Sequence, residues 1–385
     1  MRTFSNNAFI VSIVLMSVLL ITSCNKDETP AGGDPNPTPR VDVVNIIKDD
    51  FQGTELIAYA NSDLNVMVAF NATLADGTTL TFEEATVLTF PEILKDTEGN
   101  IWNVFGQAVS GPRTGTNLRE IRSFMGYWFS FAAFFPKVTL FGESVNERLH
   151  VDDPSNDWLV DPDFVFIGSF KDGIPALNQP SFIEYDKKLE VDNKFFLENS
   201  DLVIVIQDGD NFKVYPHKIL DWHEVVNDVV ANEKVVISFC PLTGTSNLWS
   251  RVFENQEHVF GVSGLLFNSN LILYDDITDS NWSQIKATSV NGAYKSLESN
   301  NLAFKEMNWE AAKMLSQNGS VIKVLSEDTG FSRDYDIYPY GDYRTNHNRI
   351  SYPLKFEDDR VPSKERVLGV LINDKAKAFR FQDFE

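Results

Sequence analysis

The chain has 385 residues, with 33 Lys and Arg against 55 Asp and Glu and a formal net charge of −22. That charge repels nucleic acid and anionic lipid headgroups, so phosphate-rich partners are excluded first. Thirty Phe and seven Trp support a sizeable core, and only two Cys are present, Cys24 and Cys240.

The chain opens on a targeting segment. Arg2 supplies a positive end and Ala8 to Thr22 is apolar apart from Ser12, Ser17 and Thr22. The run is short for a membrane span and ends in Ile21-Thr22-Ser23-Cys24, which resembles a bacterial lipobox. Residues 1–23 are therefore expected to be a lipoprotein signal peptide, with Cys24 acylated and holding the protein to a membrane. Asn25-Lys26-Asp27-Glu28 resembles the acidic export tag of surface lipoproteins in Bacteroidota, which points to the outer membrane of the cell envelope. Residues 24–40 are rich in Pro and Gly and read as an extended tether. Once Cys24 carries lipid, Cys240 has no partner for an intramolecular disulfide. A lone thiol in that compartment is either buried and inert or exposed and used.

The body reads as mainly β. Glu55–Tyr59 and Asn65–Phe70 are strand-like, and Asp76-Gly77 is a hairpin signal before Thr78–Phe82. Gly126 to Phe135 is apolar and closes at Pro136, so a buried helix is expected there. Residues 142–190 are loop-rich and acidic. Leu202–Ile206, the turn at Asp208–Asn211 and Phe212–Tyr215 form a clear hairpin. Pro216 suits the first turn of a helix. On a helical wheel from Lys218 to Val230, Ile219, Trp222, Val226 and Val229 share one face. Lys234–Cys240 is a buried strand ended by Pro241 and Gly244. Lys305–Gln317 reads as an amphipathic helix, Val321–Leu325 as a strand, and Arg366–Ile372 with Lys377–Phe381 as a closing hairpin.

Two stretches match in spacing. Asp96, Trp102, Leu118 and Trp128 run in parallel with Asp276, Trp282, Leu297 and Trp309. Phe70-Asn71 is the expected counterpart of Phe239-Cys240, so only the second copy carries a thiol. The tail resembles the hairpin that opens the second copy, and no such hairpin opens the first. The closing hairpin is therefore expected to pack beside Glu55–Phe70. The expected fold is α+β, mainly β, with two pseudo-repeated lobes, each a sheet with one or two helices. The lobes are residues 41–141 and 191–345, separated by 142–190, and 346–385 returns to the first.

Tyr215-Pro216, Trp222-His223-Glu224, Asn227-Asp228, Cys240-Pro241-Leu242-Thr243, Ser263-Gly264-Leu265-Leu266, Tyr274-Asp275 and Trp282-Ser283-Gln284 form a set of distinctive blocks. Together with Trp102-Asn103, Gly106, Gly111 and Gly115 they resemble domain-of-unknown-function family 3179, over roughly residues 45–380. The resemblance implies a shared fold and shared polar positions, and no reaction. The chain departs from it at Thr97 and Asp276, where an arginine is expected after the aspartate, so an anion-binding role there is not carried over.

The candidate chemistry lies in Tyr215–Thr245. One reading makes Cys240 a nucleophile at a strand end, with His223 as base and Glu224 or Asp228 orienting it. A second makes Cys240 a small buried hydrophobe in a non-catalytic binding or structural protein. A third uses His223, Cys240 and a carboxylate to hold zinc or copper. His150, His258 and His347 are expected at the surface. Tyr335, Tyr338, Tyr340 and Tyr343 form either a packed loop or a platform for sugars. No phosphate-cradling loop, dinucleotide fingerprint or Gly-x-Ser-x-Gly elbow is present, and neither the cofactor nor the ligand is specified.

Overall fold

The computed structural model describes residues 45–84, 88–143, 157–191, 195–373 and 375–385. The signal segment, Cys24, the tether, His150 and Asp152-Asp153-Pro154 lie outside the described residues. Among the described residues, no helix is long and apolar enough to cross a membrane.

The fold is α+β and mainly β. Its first part is a meander of β1 (Asn45–Phe51), β2 (Thr54–Asn61) and β3 (Val66–Asn71). β3 is Val-Met-Val-Ala-Phe-Asn, buried throughout; its apolar residues suit a strand covered on both faces. Further on, β4 (Ser123–Tyr127) runs into α1 (Trp128–Phe134), followed by the short β5 (Thr139–Leu140).

The second part opens on the hairpin of β6 (Leu202–Asp208) and β7 (Asn211–Pro216). Then come α2 (His217–His223) and the meander β8 (Val225–Val230), β9 (Glu233–Cys240) and β10 (Thr245–Ser250). Later, β11 (Lys305–Asn308) runs into α3 (Trp309–Met314), followed by β12 (Ile322–Leu325). The chain closes on the hairpin of β13 (Arg366–Ile372) and β14 (Lys375–Arg380).

That closing hairpin does what the tail sequence led us to expect. β13 pairs antiparallel with β4 and β14 pairs parallel with β5. Its Leu368, Val370 and Phe379 pack into one core with Leu56, Ala58, Met67 and Ala69 of β2 and β3. The second part repeats this arrangement: β6 pairs antiparallel with β11 and β7 pairs parallel with β12. The two parts are also tied by a reciprocal exchange. The Tyr127 amide at the end of β4 donates to Thr243 O (2.8 Å), and the Asn308 amide at the end of β11 donates to Leu64 O (2.9 Å).

Three expected helices are shorter than the sequence pattern implied. Residues 225–230 are strand β8, not the continuation of a helix from Lys218. The two Val-Val pairs favour an extended, crowded sheet position over a helical one. Gly126 and Tyr127 belong to β4, and the helix begins only at Trp128. Lys305–Asn308 is strand β11, and the Asn308 side chain caps the following helix by accepting from the Ala311 amide (3.0 Å). In each case a short apolar run reads equally well as strand or helix until tertiary pairing decides.

The expected spacing match has hydrogen-bonded counterparts, with the second aspartate shifted by one residue. Trp102 Nε1 donates to Asp96 Oδ2 (2.9 Å), and Trp282 Nε1 donates to Asp275 Oδ2 (3.1 Å), so the second aspartate is Asp275 and not Asp276. The Arg113 amide donates to Asn100 Oδ1 and the Tyr294 amide to Ser280 Oγ. Gly111 and Gly292 then occupy matching left-handed positions, φ 96° and 97°. At either one a Cβ would lie 2.7 Å from the backbone of Asn100 or Ser280. Leu118 and Ser299 match through their amides, which donate to Gly106 O and Ala287 O; Leu297 therefore is not the partner of Leu118.

The counterpart of Cys240 changes as well. β9 and β10 close with Cys240 opposite Thr245, and β2 and β3 close with Asn61 opposite Val66. Gly244 (φ 61°) and Asn65 (φ 51°) hold the same place in the two turns. Cys240 therefore corresponds to Asn61 rather than Asn71.

Candidate functional site

α2 ends abruptly at Glu224. Its amide still donates to Leu220 O (2.8 Å), while its own carbonyl accepts from Phe239 on β9 (2.8 Å). These two bonds pin Glu224 at φ 57°, ψ −33°. A non-glycine residue held there costs about 1–3 kcal/mol, and such strain clusters at functional sites. The turn carries the Glu224 side chain inward, where it is 5% exposed.

β9 brings Cys240 to the same interior point. Its side chain is fully buried, with Sγ 3.7 Å from Ser269 O. The turn behind it is fixed by Thr243 and Thr245, which share a buried network with Asn270 and Gln284. Gly244 lets that turn lie against the Tyr127 ring, where a Cβ would come within 2.9 Å. Tyr340 donates to Glu224 Oε1 (3.2 Å) from the other side.

Burial dominates the electrostatics here. It pushes the Glu224 carboxyl up to about 8, against the opposing hydrogen bond from Tyr340. Burial and the nearby Glu224 push the Cys240 thiol up to about 11. At neutral pH the Cys240 thiol is therefore protonated, and burial favours the protonated form of Glu224 as well.

The other expected participants are placed elsewhere. His223 Nδ1 is 2.8 Å from Pro175 O and Nε2 is 2.7 Å from the Tyr335 hydroxyl. Both ring nitrogens are thus engaged, and neither is left to take a proton from Cys240. Asp228 accepts from Lys213 Nζ (2.8 Å) and the Tyr215 hydroxyl (2.7 Å), away from the thiol. Of the four expected site residues, only Glu224 acts electrostatically on the Cys240 thiol. Among the described residues, no group of three His, Cys, Asp or Glu side chains could hold a metal ion. The expected zinc or copper set of His223, Cys240 and a carboxylate is therefore not assembled among the described residues.

His258 is fully buried, not at the surface, with Nδ1 3.3 Å from Asp275 Oδ1. His347 is exposed, as expected. His217 is buried too, against Phe239 and 3.1 Å from Glu306 Oε1, which also accepts from Arg366. The tyrosine loop turns inward: Tyr335 serves His223, Tyr340 serves Glu224, and Tyr343 is fully buried. Lys364 ties that loop down by donating to Tyr343 O, Asn346 O and Arg349 O.

A cleft of about 1020 Å³ lies alongside this core. Phe195, Phe196, Lys218, Asp221, Tyr338 and Arg344 are among its walls. Asp221 is 3% exposed, and its Oδ2 accepts from Arg344 Nη2 at 2.6 Å. Burial outweighs the Arg344 charge and pushes the Asp221 carboxyl up to about 6. Asp221 also acts electrostatically on Glu224, so the cleft wall and the Cys240 core are coupled.

The family model for the protein of unknown function DUF3179 matches residues 36–138 and 171–385. The chain belongs to the DUF3179 family. The match takes in α2, Glu224, Cys240, the tyrosine loop and the cleft, and it leaves out 139–170. No curated protein and no solved structure matches the chain.

Sequence reasoning missed Asp221, Arg344 and Lys364. Asp221 had a signal, since it is a carboxylate inside an otherwise apolar helical stretch, Ile219-Leu220-Asp221-Trp222. Arg344 and Lys364 had none, because their partners lie in other segments of the chain.

Proposed function

We propose that this DUF3179 protein is an envelope lipoprotein of the Bacteroidota type, tethered through Cys24, whose body binds a small molecule. The lipobox-like end at Ile21–Cys24, the short acidic tag and the Pro/Gly-rich stretch support the tether. One observation carries the binding reading: a cleft of about 1020 Å³ has a buried carboxylate, Asp221, and an arginine paired in its wall. Large clefts with few convergent polar groups are where small ligands bind. A sealed, protonated thiol is poorly placed to act as a nucleophile, because the thiolate is the reactive form.

Two measurements test this. Palmitate labelling and membrane fractionation of the cells should place wild type in the membrane, and Cys24→Ala should lose the label. A thermal-shift screen of a broad metabolite library should raise the melting temperature of wild type and not of Asp221→Ala. A library without a single Asp221-dependent hit would remove the binding reading.

A thiol-centred reaction is the second reading. It is favoured by the strained Glu224 backbone, which brings an acid and a thiol to one buried point.

A further inference from the structure

The cleft is not uniformly receptive. Lys218 is saturated: it donates to Phe196 O (3.0 Å) and Asp336 Oδ1 (2.6 Å). Lys313 donates to Asn199 Oδ1 (2.5 Å). The Tyr335 hydroxyl is engaged by His223 and Thr329. One corner is different. Asp221 Oδ1 is buried without a hydrogen-bond partner, and the buried Tyr338 hydroxyl has no neighbour but the Arg344 guanidinium to engage it. Arg344 lies between them, with its guanidinium 3.7 Å above the Tyr338 ring and bonded to Asp221 Oδ2.

Buried polar atoms are rarely left unpaired, and each one is costly unless a ligand or water satisfies it. This corner offers an acceptor at Asp221 and donors at Tyr338 and Arg344. It is also charge-balanced. A cationic group approaching Asp221 meets the guanidinium, and an anionic group approaching Arg344 meets the carboxylate. The Arg344 side chain is 44% exposed while that of Asp221 is 3% exposed. Phe195 and Phe196 add apolar wall on the same cleft.

On the reading of the body as a binding module, we propose that the Asp221–Tyr338–Arg344 corner binds an uncharged ligand through a pair of adjacent hydroxyls, as a neutral sugar carries. One hydroxyl donates to Asp221 Oδ1. Its neighbour accepts from Tyr338 or Arg344. The aromatic walls take the C–H face of the ring. Free sugars and the ends of longer glycans share this chemistry.

Calorimetric titration of the full chain with neutral oligosaccharides of glucose, mannose, galactose, xylose and N-acetylglucosamine tests it, with the monosaccharides as a parallel arm. Binding by the monosaccharides identifies a free sugar, and binding by the oligomers alone identifies a glycan end. Glucosamine and gluconate serve as the cationic and anionic counterparts. At least one neutral sugar should bind, and Tyr338→Phe should weaken it about tenfold. Tyr338→Phe keeps the ring against Arg344, so the melting temperature should stay nearly unchanged, which separates a binding role from a structural one. Asp221→Ala should abolish binding.

The proposal is overturned if none of the neutral sugars binds, or if binding is the same in Tyr338→Phe and Asp221→Ala. It is also overturned if only glucosamine or gluconate binds. Asp221-dependent binding of a charged compound would overturn the ligand class and leave the binding module standing. Absence of any Asp221-dependent ligand in the metabolite library would overturn both.

Discussion

Two turns in this molecule share one strand pairing and differ in chemistry. Asn61–Val66 joins β2 to β3, and Cys240–Thr245 joins β9 to β10, with the same pairing and the same left-handed residue before the second strand. Each receives an amide from the opposite part of the chain, Asn308 on Leu64 and Tyr127 on Thr243. Yet Asn61 accepts from the Leu64 amide within its own turn (2.9 Å), while Cys240 is fully buried within electrostatic reach of Glu224. The difference comes from what covers each turn. The tyrosine loop, held by Lys364, seals the second one. The strands supply the frame, and the covering loop decides whether the frame holds a site.

The comparison extends to the paired Asp–Trp turns, where the largest effect is expected. Asp96 accepts from the Glu98 and Asn100 amides, the Asn100 side chain and the Trp102 indole. Asp275 accepts from Ile277, Thr278, Ser280 and Trp282. Asp96→Ala and Asp275→Ala each leave several buried donors unpaired and should each cost about 3 kcal/mol or more in urea unfolding. A cost below about 1 kcal/mol at one of them would show that the two turns are not equivalent.

The next effect separates the turns. Gly244→Ala forces a side chain into a left-handed position 2.9 Å from the Tyr127 ring. It should cost about 2–3 kcal/mol, while Asn65→Gly at the matching place should stay within about 0.5 kcal/mol. Equal costs would mean that the Tyr127 contact contributes nothing.

A smaller effect is read in pH. The Glu224 carboxyl is raised to about 8, and Asp221 to about 6, both above the ordinary carboxylate range. A raised carboxyl binds its proton more tightly folded than unfolded. Its contribution is therefore complete below the ordinary range and is lost as pH rises through the folded value. Stability should fall between pH 5 and 8, and Glu224→Gln should flatten most of that slope while Asp221 keeps the rest. A slope unchanged in Glu224→Gln would place the titrating group elsewhere. Asn61→Asp, at the position opposite in the frame, should add no such slope.

Much of the frame was legible. Both hairpins, β6–β7 and β13–β14, follow from alternating apolar strands around short polar turns, and their likeness predicts the return of the tail. The Asp–Trp match was visible with the aspartate one place off, because the turn from Asp275 to Trp282 is one residue longer than that from Asp96 to Trp102. The site was legible only in part. Cys240 and Glu224 stand in recognisable blocks, but their proximity depends on Glu224 leaving the helix at positive φ, which no propensity for Glu predicts. His223 looked like a base because it neighbours Glu224 in sequence. On the folded chain its ring nitrogens meet Pro175 and Tyr335 instead. Asp221 and Arg344 meet across 123 positions, and no periodic pattern links them.

The central claim is that the second turn holds a sealed, neutral thiol. The most direct test is the alkylation rate of Cys240 with iodoacetamide in a Cys24→Ala chain, where it is the only thiol. Native protein should react at least ~1000-fold more slowly than urea-unfolded protein at pH 8, since access then requires opening of the fold. Reaction of the native chain at a rate near that of the unfolded one, with a midpoint near pH 7, would contradict the account and restore Cys240 as a nucleophile.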